Sequence, residues 1–364
     1  MNTRIRPNVA RLTAYTPGEQ PDDPQVVKLN TNENPYPPAP AVQEVLRTVQ
    51  AADLRLYPDP VCRELRTAIA EVHGCTPDHV FCGNGSDEIL SLCIRAFCPN
   101  RGRIGYFEPS YSLYPVLAAV ADVGVAPLPL AEDFTCPPIP PRYDVPVFFW
   151  TNPNAPTSMA APLEDVAALA DGSEGVVVLD EAYADFAAAQ AEAWAWERPN
   201  LLVTRTFSKS YALAGIRLGY ALGHPDLIAA LFKIKDAYNV DRLTQQIGLA
   251  AITDQAYLQS LVSRIKATRA RTVEALQQRG YGVALSQTNF LWIKPPADCT
   301  AADCFAAWRA QGVLVRYFPG ERTGHHLRVT IGTDAQMARF IEVVDLPLPK
   351  ATTQHAKADN GTGC

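Results

Sequence analysis

Val176-Val177-Val178-Leu179-Asp180-Glu181-Ala182-Tyr183 is the stretch that decides the fold. Four apolar residues, three of them β-branched, read as a strand buried on both faces, and an acidic pair stands where it ends. Strands of this kind belong to parallel sheets covered by helices. The neighbouring segments repeat the theme. Upstream lie a strand at Val145–Trp150 and a helix at Leu163–Ala170; downstream lies a strand at Leu201–Thr206. Further back, Val80–Cys82 and Arg103–Phe107 read as strands, with helices at Ser86–Phe97 and Ser112–Val120. The alternation predicts an α/β fold, a large domain with a mostly parallel sheet between helices.

The flanks differ. Residues 1–40 are rich in Pro, Asn and polar side chains and read as an extended arm. Val42, Val45, Leu46 and Val49 then recur at helical spacing, and a turn at Tyr57-Pro58-Asp59-Pro60 precedes a second helix near 61–73. A long amphipathic helix is expected from Gln255 to Arg279, stopped by Gly280. Strands at Tyr281–Leu285, Phe290–Ile293, Val313–Arg316 and Leu327–Ile331 then surround a helix at 301–311. The expected organisation is an arm (1–40) that joins a smaller α+β domain (251–348), a large domain (41–250), and a polar, disordered tail (349–364).

The chain has 364 residues, 48% hydrophobic and 19% charged, with a net charge of −6. That balance argues against nucleic acid as a partner. Nine cysteines without a C-x-x-C pair point to reduced thiols in a cytoplasmic protein, with neither a disulfide framework nor a metal site. The opening MNTRIRPNVARLTAYTPGEQ lacks the apolar core of a signal peptide, and no apolar run approaches the ~18 residues of a membrane span.

Four segments carry chemistry. In Thr206-Phe207-Ser208-Lys209-Ser210, a lysine follows directly on a strand end, where partial desolvation favours covalent chemistry on a carbonyl. Arg217, eight residues on, offers a fork to a phosphate, and Gly215 and Gly219 allow close backbone approach. Asp180, at the carboxyl end of its strand, stands where open sheets bind ligands and can pair with a protonated ring nitrogen; Tyr183 can donate to an oxygen nearby. Phe81-Cys82-Gly83-Asn84-Gly85-Ser86-Asp87 runs from a strand through glycines into a helix. Ser86 and Asp87 there offer free backbone N–H groups to a phosphate, although an ordinary capped helix reads the same way. Trp150-Thr151-Asn152-Pro153-Asn154-Ala155-Pro156-Thr157 caps another strand, and Tyr111 can stack on an aromatic ring or simply be half-buried.

Together these motifs resemble the fold-type-I, class-II aminotransferases, and within them the histidinol-phosphate aminotransferase family, over about residues 8–345. The most specific parts are Ser208-Lys209 with Arg217, Asp180-Glu181-Ala182-Tyr183, and Lys28-Leu29-Asn30-Thr31-Asn32-Glu33-Asn34-Pro35-Tyr36. The resemblance implies pyridoxal 5′-phosphate as cofactor and a transaminase activity. It implies that Lys209 holds the cofactor covalently and shuttles a proton, with Asp180 on the ring nitrogen, Tyr183 on the phenolate oxygen and Tyr111 stacked on the ring. Ser86, Asp87, Thr206, Ser208 and Arg217 would hold the phosphate. Tyr57 would reach the phosphate bound by a second copy, which implies a homodimer with shared sites. Arg316 and Arg328 would grip the anionic end of the substrate, and Tyr15 would face it from the arm.

The chain departs from the family's Asn-Asn-Pro-Thr-Gly pattern. Ala155 stands where the second asparagine supports the cofactor's phenolate oxygen, Ser158 replaces the glycine, and Asn154 is the remaining candidate for that contact. Pro37 replaces a usual glycine, and Tyr317-Phe318-Pro319 can reshape the substrate pocket. The expected reaction transfers the amine of L-histidinol phosphate to 2-oxoglutarate. An aromatic amino-acid aminotransferase and a threonine-phosphate decarboxylase are the alternatives on the same fold. A ligand-sensing DNA-binding regulator is disfavoured, since only a polar arm precedes the large domain.

Overall fold

Thirteen strands and eleven α-helices are assigned in the computed structural model, which describes residues 4–139 and 143–347. The strands are β1 (Val27–Lys28), β2 (Val80–Gly83), β3 (Arg103–Glu108), β4 (Gly124–Pro129), β5 (Val147–Thr151), β6 (Val176–Asp180), β7 (Leu201–Thr206), β8 (Gly219–Gly223), β9 (Gly282–Val283), β10 (Phe290–Lys294), β11 (Val313–Leu314), β12 (Arg316–Tyr317) and β13 (Leu327–Thr330). Seven of them form the large sheet in the order β2-β8-β7-β6-β5-β3-β4. Strands β7, β6, β5, β3 and β4 run parallel, whereas β8 is antiparallel to both β7 and β2. Register sets Thr151 beside Asp180 and Asp180 beside Thr204, so the carboxyl ends of β5, β6 and β7 finish in one line.

Two strands of this sheet escape the sequence reading. Strand β4 is an exposed edge carrying Pro127 and Pro129, residues that argue against a strand anywhere but an edge. Strand β8 is short and bounded by Gly219 and Gly223, which mask its apolar centre. The smaller sheet, β12-β13-β10-β9, is wholly antiparallel. The expected strand Val313–Arg316 is two: β11 pairs with β1 of the arm, and the chain crosses at Val315 so that β12 pairs with β13. Only Gly282–Val283 of the expected 281–285 strand pairs, and Leu285 is exposed.

The long helix runs Gln255–Gln277, its first turn capped by the Asp254 carboxylate on the Tyr257 N–H at 3.1 Å. It packs on the small sheet and on the Asp334–Val344 helix, while the Arg242–Thr253 helix packs on the helices at 40–48 and 63–73. We therefore propose the domain boundary near Asp254. The arm is less extended than its composition suggests: it contains a Pro7–Arg11 helix and β1, and through β1 it joins the small sheet's side of the molecule. The expected disordered tail (349–364) lies outside the described residues. No helix among the described residues is long and apolar enough to cross a membrane.

Candidate active site

A cleft of about 270 Å³ opens beyond the carboxyl ends of β5, β6 and β7, roofed by the arm and by β12–β13. Twelve of the fourteen residues singled out from the sequence line it: Tyr15, Ser86, Asp87, Tyr111, Asp180, Tyr183, Thr206, Ser208, Lys209, Arg217, Arg316 and Arg328. Their convergence follows from topology, because parallel strands deliver their end residues to one edge.

Asp180 is buried at the end of β6. It accepts hydrogen bonds from the Ala182 N–H (3.2 Å), the Tyr114 hydroxyl (3.2 Å) and Thr204 Oγ1 (3.4 Å). Burial outweighs these bonds and pushes its carboxyl up to about 6. A cation placed against it would reverse that penalty. Tyr114 is a site residue the sequence reading missed. The signal was there, a second tyrosine three positions after Tyr111 and in the first turn of the Leu113–Ala121 helix, and Tyr114 Oη also lies 2.6 Å from Thr151 Oγ1.

Lys209 follows β7. Its Nζ donates one long hydrogen bond, 3.4 Å, to the Thr31 carbonyl and lies 5.6 Å from the centre of the Tyr183 ring. Its backbone is pinned from both sides. Asn34 Nδ2 donates to the Lys209 and Ser210 carbonyls at 3.2 and 3.0 Å, and the Ser210 hydroxyl bonds the Asp185 carboxylate. Arg205 closes this buried cluster, bonding Glu181 at 2.8 Å and also Asp185. Glu181 and Arg205 face away from the cleft, and both were missed as supports. An arginine in a strand buried throughout its length was the available clue.

Across from Lys209, Arg217 donates to the Asp87 carboxylate at 3.1 Å and to Ser208 Oγ at 3.4 Å. Asp87 also accepts from the Tyr111 hydroxyl at 3.0 Å. Two glycines make room here. A Cβ on Gly219 would stand 2.5 Å from the Ser86 nitrogen, and one on Gly85 2.8 Å from the Arg217 guanidinium. Gly215, expected to allow a close approach, has open space around it instead, because the turn there faces away from any neighbour. Hydroxyls, helix N–H groups and a guanidinium thus surround a space suited to a phosphate.

At the other end, Arg316 and Arg328 are register partners across β12 and β13. Arg316 donates to the Thr16 and Pro17 carbonyls at 2.8 and 3.2 Å, and Arg328 to the Asn30 carbonyl at 3.0 Å. Arg328 Nε is buried with no hydrogen-bond partner among the described residues, and burial lowers the affinity of this guanidinium for its proton. Two like charges side by side call for an anion between them. Tyr15 extends from the arm edge-on to Tyr111, at 6.2 Å.

Two of the fourteen lie elsewhere. Asn154 does not line the cleft: its Nδ2 donates to the Pro109 carbonyl (3.0 Å) and Thr157 Oγ1 (2.9 Å), and its Oδ1 accepts from Ser110 Oγ at 2.8 Å. The turn occupies the whole amide, which corrects the expectation that it supports the cofactor, and the side chain facing the cleft is the methyl of Ala155. Tyr57 is 76% exposed and stacks on Tyr238, outside the cleft.

Comparison with known proteins agrees with this geometry. A family model described as aminotransferase class I and II matches residues 24–344. A histidinol-phosphate aminotransferase of Citrifermentans bemidjiense is 43% identical over 341 residues, covering 93% of this chain and 97% of the relative. One from Chromohalobacter salexigens is 43% identical over 343 residues with the same coverage. Among solved structures, the histidinol-phosphate aminotransferase of Sinorhizobium meliloti in complex with pyridoxal-5′-phosphate superposes with a TM-score of 0.83 at 25% identity. It covers 94% of this chain and 98% of that one.

Proposed function

Because the chain belongs to the histidinol-phosphate aminotransferase family, within the class I and II aminotransferases, we propose that it moves the amine of L-histidinol phosphate onto 2-oxoglutarate. The products are imidazole-acetol phosphate and L-glutamate, a step of histidine biosynthesis. It is a pyridoxal-phosphate enzyme, and the residues present fit that cofactor. Among the described residues Asp180 is a buried carboxylate with no cation bonded to it and Lys209 Nζ makes one long hydrogen bond, while the room left by Gly85 and Gly219 keeps the phosphate cradle open.

Bound pyridoxal phosphate supplies an electrophilic carbon and a ring that accepts the electron pair released at the donor's Cα. Asp180 pairs with the ring nitrogen and keeps it protonated. Lys209 would hold the cofactor through its amine and, when free of it, would take the proton from the donor's Cα. Tyr183 holds the phenolate oxygen, Tyr111 the ring face, and Ser86, Asp87, Thr206, Ser208 and Arg217 the phosphate. The observation that carries the substrate assignment is the facing pair Arg316 and Arg328, which matches the phosphate of the donor.

The working unit we propose is a cytoplasmic homodimer. Tyr57 and its stacking partner Tyr238 stand exposed beside Leu54 and Leu56, apolar side chains suited to a second copy. The test is a single-turnover reaction of the cofactor-loaded enzyme with histidinol phosphate, phenylalanine, tyrosine and threonine phosphate, followed by the cofactor's visible band. Histidinol phosphate should bleach the band fastest and 2-oxoglutarate should restore it. Faster bleaching by an aromatic amino acid, or carbon dioxide release from threonine phosphate, overturns the substrate assignment.

A further inference from the structure

Tyr183 is asked to donate its hydroxyl proton to the cofactor's phenolate oxygen, and a hydroxyl donates in a fixed direction only if something else occupies its lone pairs. Among the described residues one side chain hydrogen-bonds that hydroxyl: Asn32, whose Nδ2 donates to Tyr183 Oη at 2.9 Å. Asn32 lies in the arm, 151 residues away in sequence, is buried, and lines the cleft. The turn after β5 offers no substitute, since Ala155 presents a methyl packed with Tyr183 and Phe290, and the Asn154 amide is fully engaged.

The orientation of the Asn32 amide is set by chemistry. Thr330 Oγ1 accepts from the Asn32 backbone N–H at 3.0 Å, so its own proton is free to go to Asn32 Oδ1 at 3.1 Å. With Oδ1 held on Thr330, Nδ2 must face Tyr183. Asn289 Nδ2 fixes the backbone further, donating to the Asn32 carbonyl at 3.0 Å. Asn32 has φ 58°, in the left-handed region, where asparagine is among the few side chains tolerated. Thr330 lies two residues beyond Arg328 on β13, so the chain of bonds links the substrate-gripping strand to the tyrosine.

We propose that Asn32 is a positioning residue that fixes Tyr183 as a hydrogen-bond donor to the cofactor and so helps set the cofactor's protonation. The inference rests on the function proposed above. Other charged or titratable groups facing Tyr183 are Lys209 above its ring, Arg328, Tyr15 and Tyr111, and none of them bonds its hydroxyl. An amide donating to Tyr183 Oη makes the phenol a stronger donor, which favours the deprotonated form of the cofactor.

The experiment is a pH titration of the visible band of the cofactor-loaded enzyme, for wild type, Asn32→Gly and Asn32→Asp, with melting temperatures measured alongside. Glycine keeps the backbone conformation and removes the amide. Aspartate keeps the shape but replaces the donor with an acceptor, drawing the Tyr183 proton away from the cofactor. The midpoint should rise in both variants, by about one unit in Asn32→Asp and by less in Asn32→Gly. Should either fail to fold, Thr330→Val, which frees the amide to rotate, should give a smaller rise of the same sign. Folded variants that bind cofactor and titrate at the wild-type midpoint overturn the inference. A wild type that shows no visible band at all overturns the proposed function instead.

Discussion

At the Asp180 end of the cleft, polar groups are met from the sheet and the helices beside it. At the Arg328 end, two guanidinium groups lie across β12 and β13 and are met by backbone carbonyls of the arm. The first end is a socket, rigid and carrying a carboxylate at about 6 that a bound cation would relieve. The second is a clamp, with excess positive charge and a roof made of arm residues between Tyr15 and Glu33. Damage to the socket should therefore appear in the cofactor's spectrum and in kcat. Damage to the clamp should appear in KM for the phosphorylated donor and leave the spectrum alone.

The largest effect is expected at Lys209. Lys209→Ala should abolish the visible band and lower kcat by about 10⁴-fold or more, with the melting temperature of the cofactor-free protein nearly unchanged. A band that persists in this variant, or one that vanishes in Arg328→Met, would erase the distinction between the two ends.

The socket also has a cost that pH reveals. Folded Asp180 holds its proton to about 6, against an ordinary value of 3.8. Between those values the folded, cofactor-free protein binds the extra proton, so its stability falls as pH rises through the window and stays reduced above it. At ~1.4 kcal/mol per pKa unit, the loss is about 3 kcal/mol at most. Urea unfolding of the cofactor-free protein at several pH values should show this slope, and Asp180→Asn should remove it. A wild-type protein that gains stability over the same window would mean that Asp180 is already paired without the cofactor.

At the clamp, Arg328→Met should lower kcat/KM for the phosphorylated donor by about 10- to 100-fold, the worth of a hydrogen bond to a charged group. Arg316→Met should lower it less, because Arg316 is more exposed and makes two hydrogen bonds to arm carbonyls where Arg328 makes one. Steady-state kinetics with the visible band as control separates binding from chemistry, and equal losses would show that the anion sits midway between the two.

The two ends were unequally legible in the sequence, for a physical reason. Asp180, Lys209 and Ser86 stand at the ends of buried strands or the start of a helix, where apolar runs and glycines mark position and parallel topology guarantees convergence. The same logic could not find β4, hidden by its prolines, or β8, hidden by its glycines. At the clamp, the sharing of residues 313–317 between two sheets follows from pairing with β1, almost three hundred residues earlier, which no local pattern encodes. Tyr114, Glu181 and Arg205 were missed because their roles depend on which face of an element they present. Asn154, the remaining candidate once Ala155 takes the usual asparagine's place, proves engaged because the turn's own hydrogen bonds occupy its amide, and no local pattern shows those bonds.

The smallest effect sharpens the account of the clamp's roof. The arm is tied down at Glu19 by a forked contact with Arg309, at 2.8 and 3.1 Å, and its Glu19 carbonyl accepts from Asn30 Nδ2 at 2.9 Å. Glu19 and Arg309 are both exposed, so water and salt screen their attraction. Asn30 and Arg316, by contrast, hold the arm's carbonyls where it meets the small sheet. Arg309→Ala should then change KM for the donor by about threefold or less, and at ~1 M salt wild type and variant should converge. The visible band should be identical in both. A tenfold rise in KM, persisting at high salt, would mean that the roof hangs on this outer tie and that the carbonyl contacts of Arg316 are incidental to it.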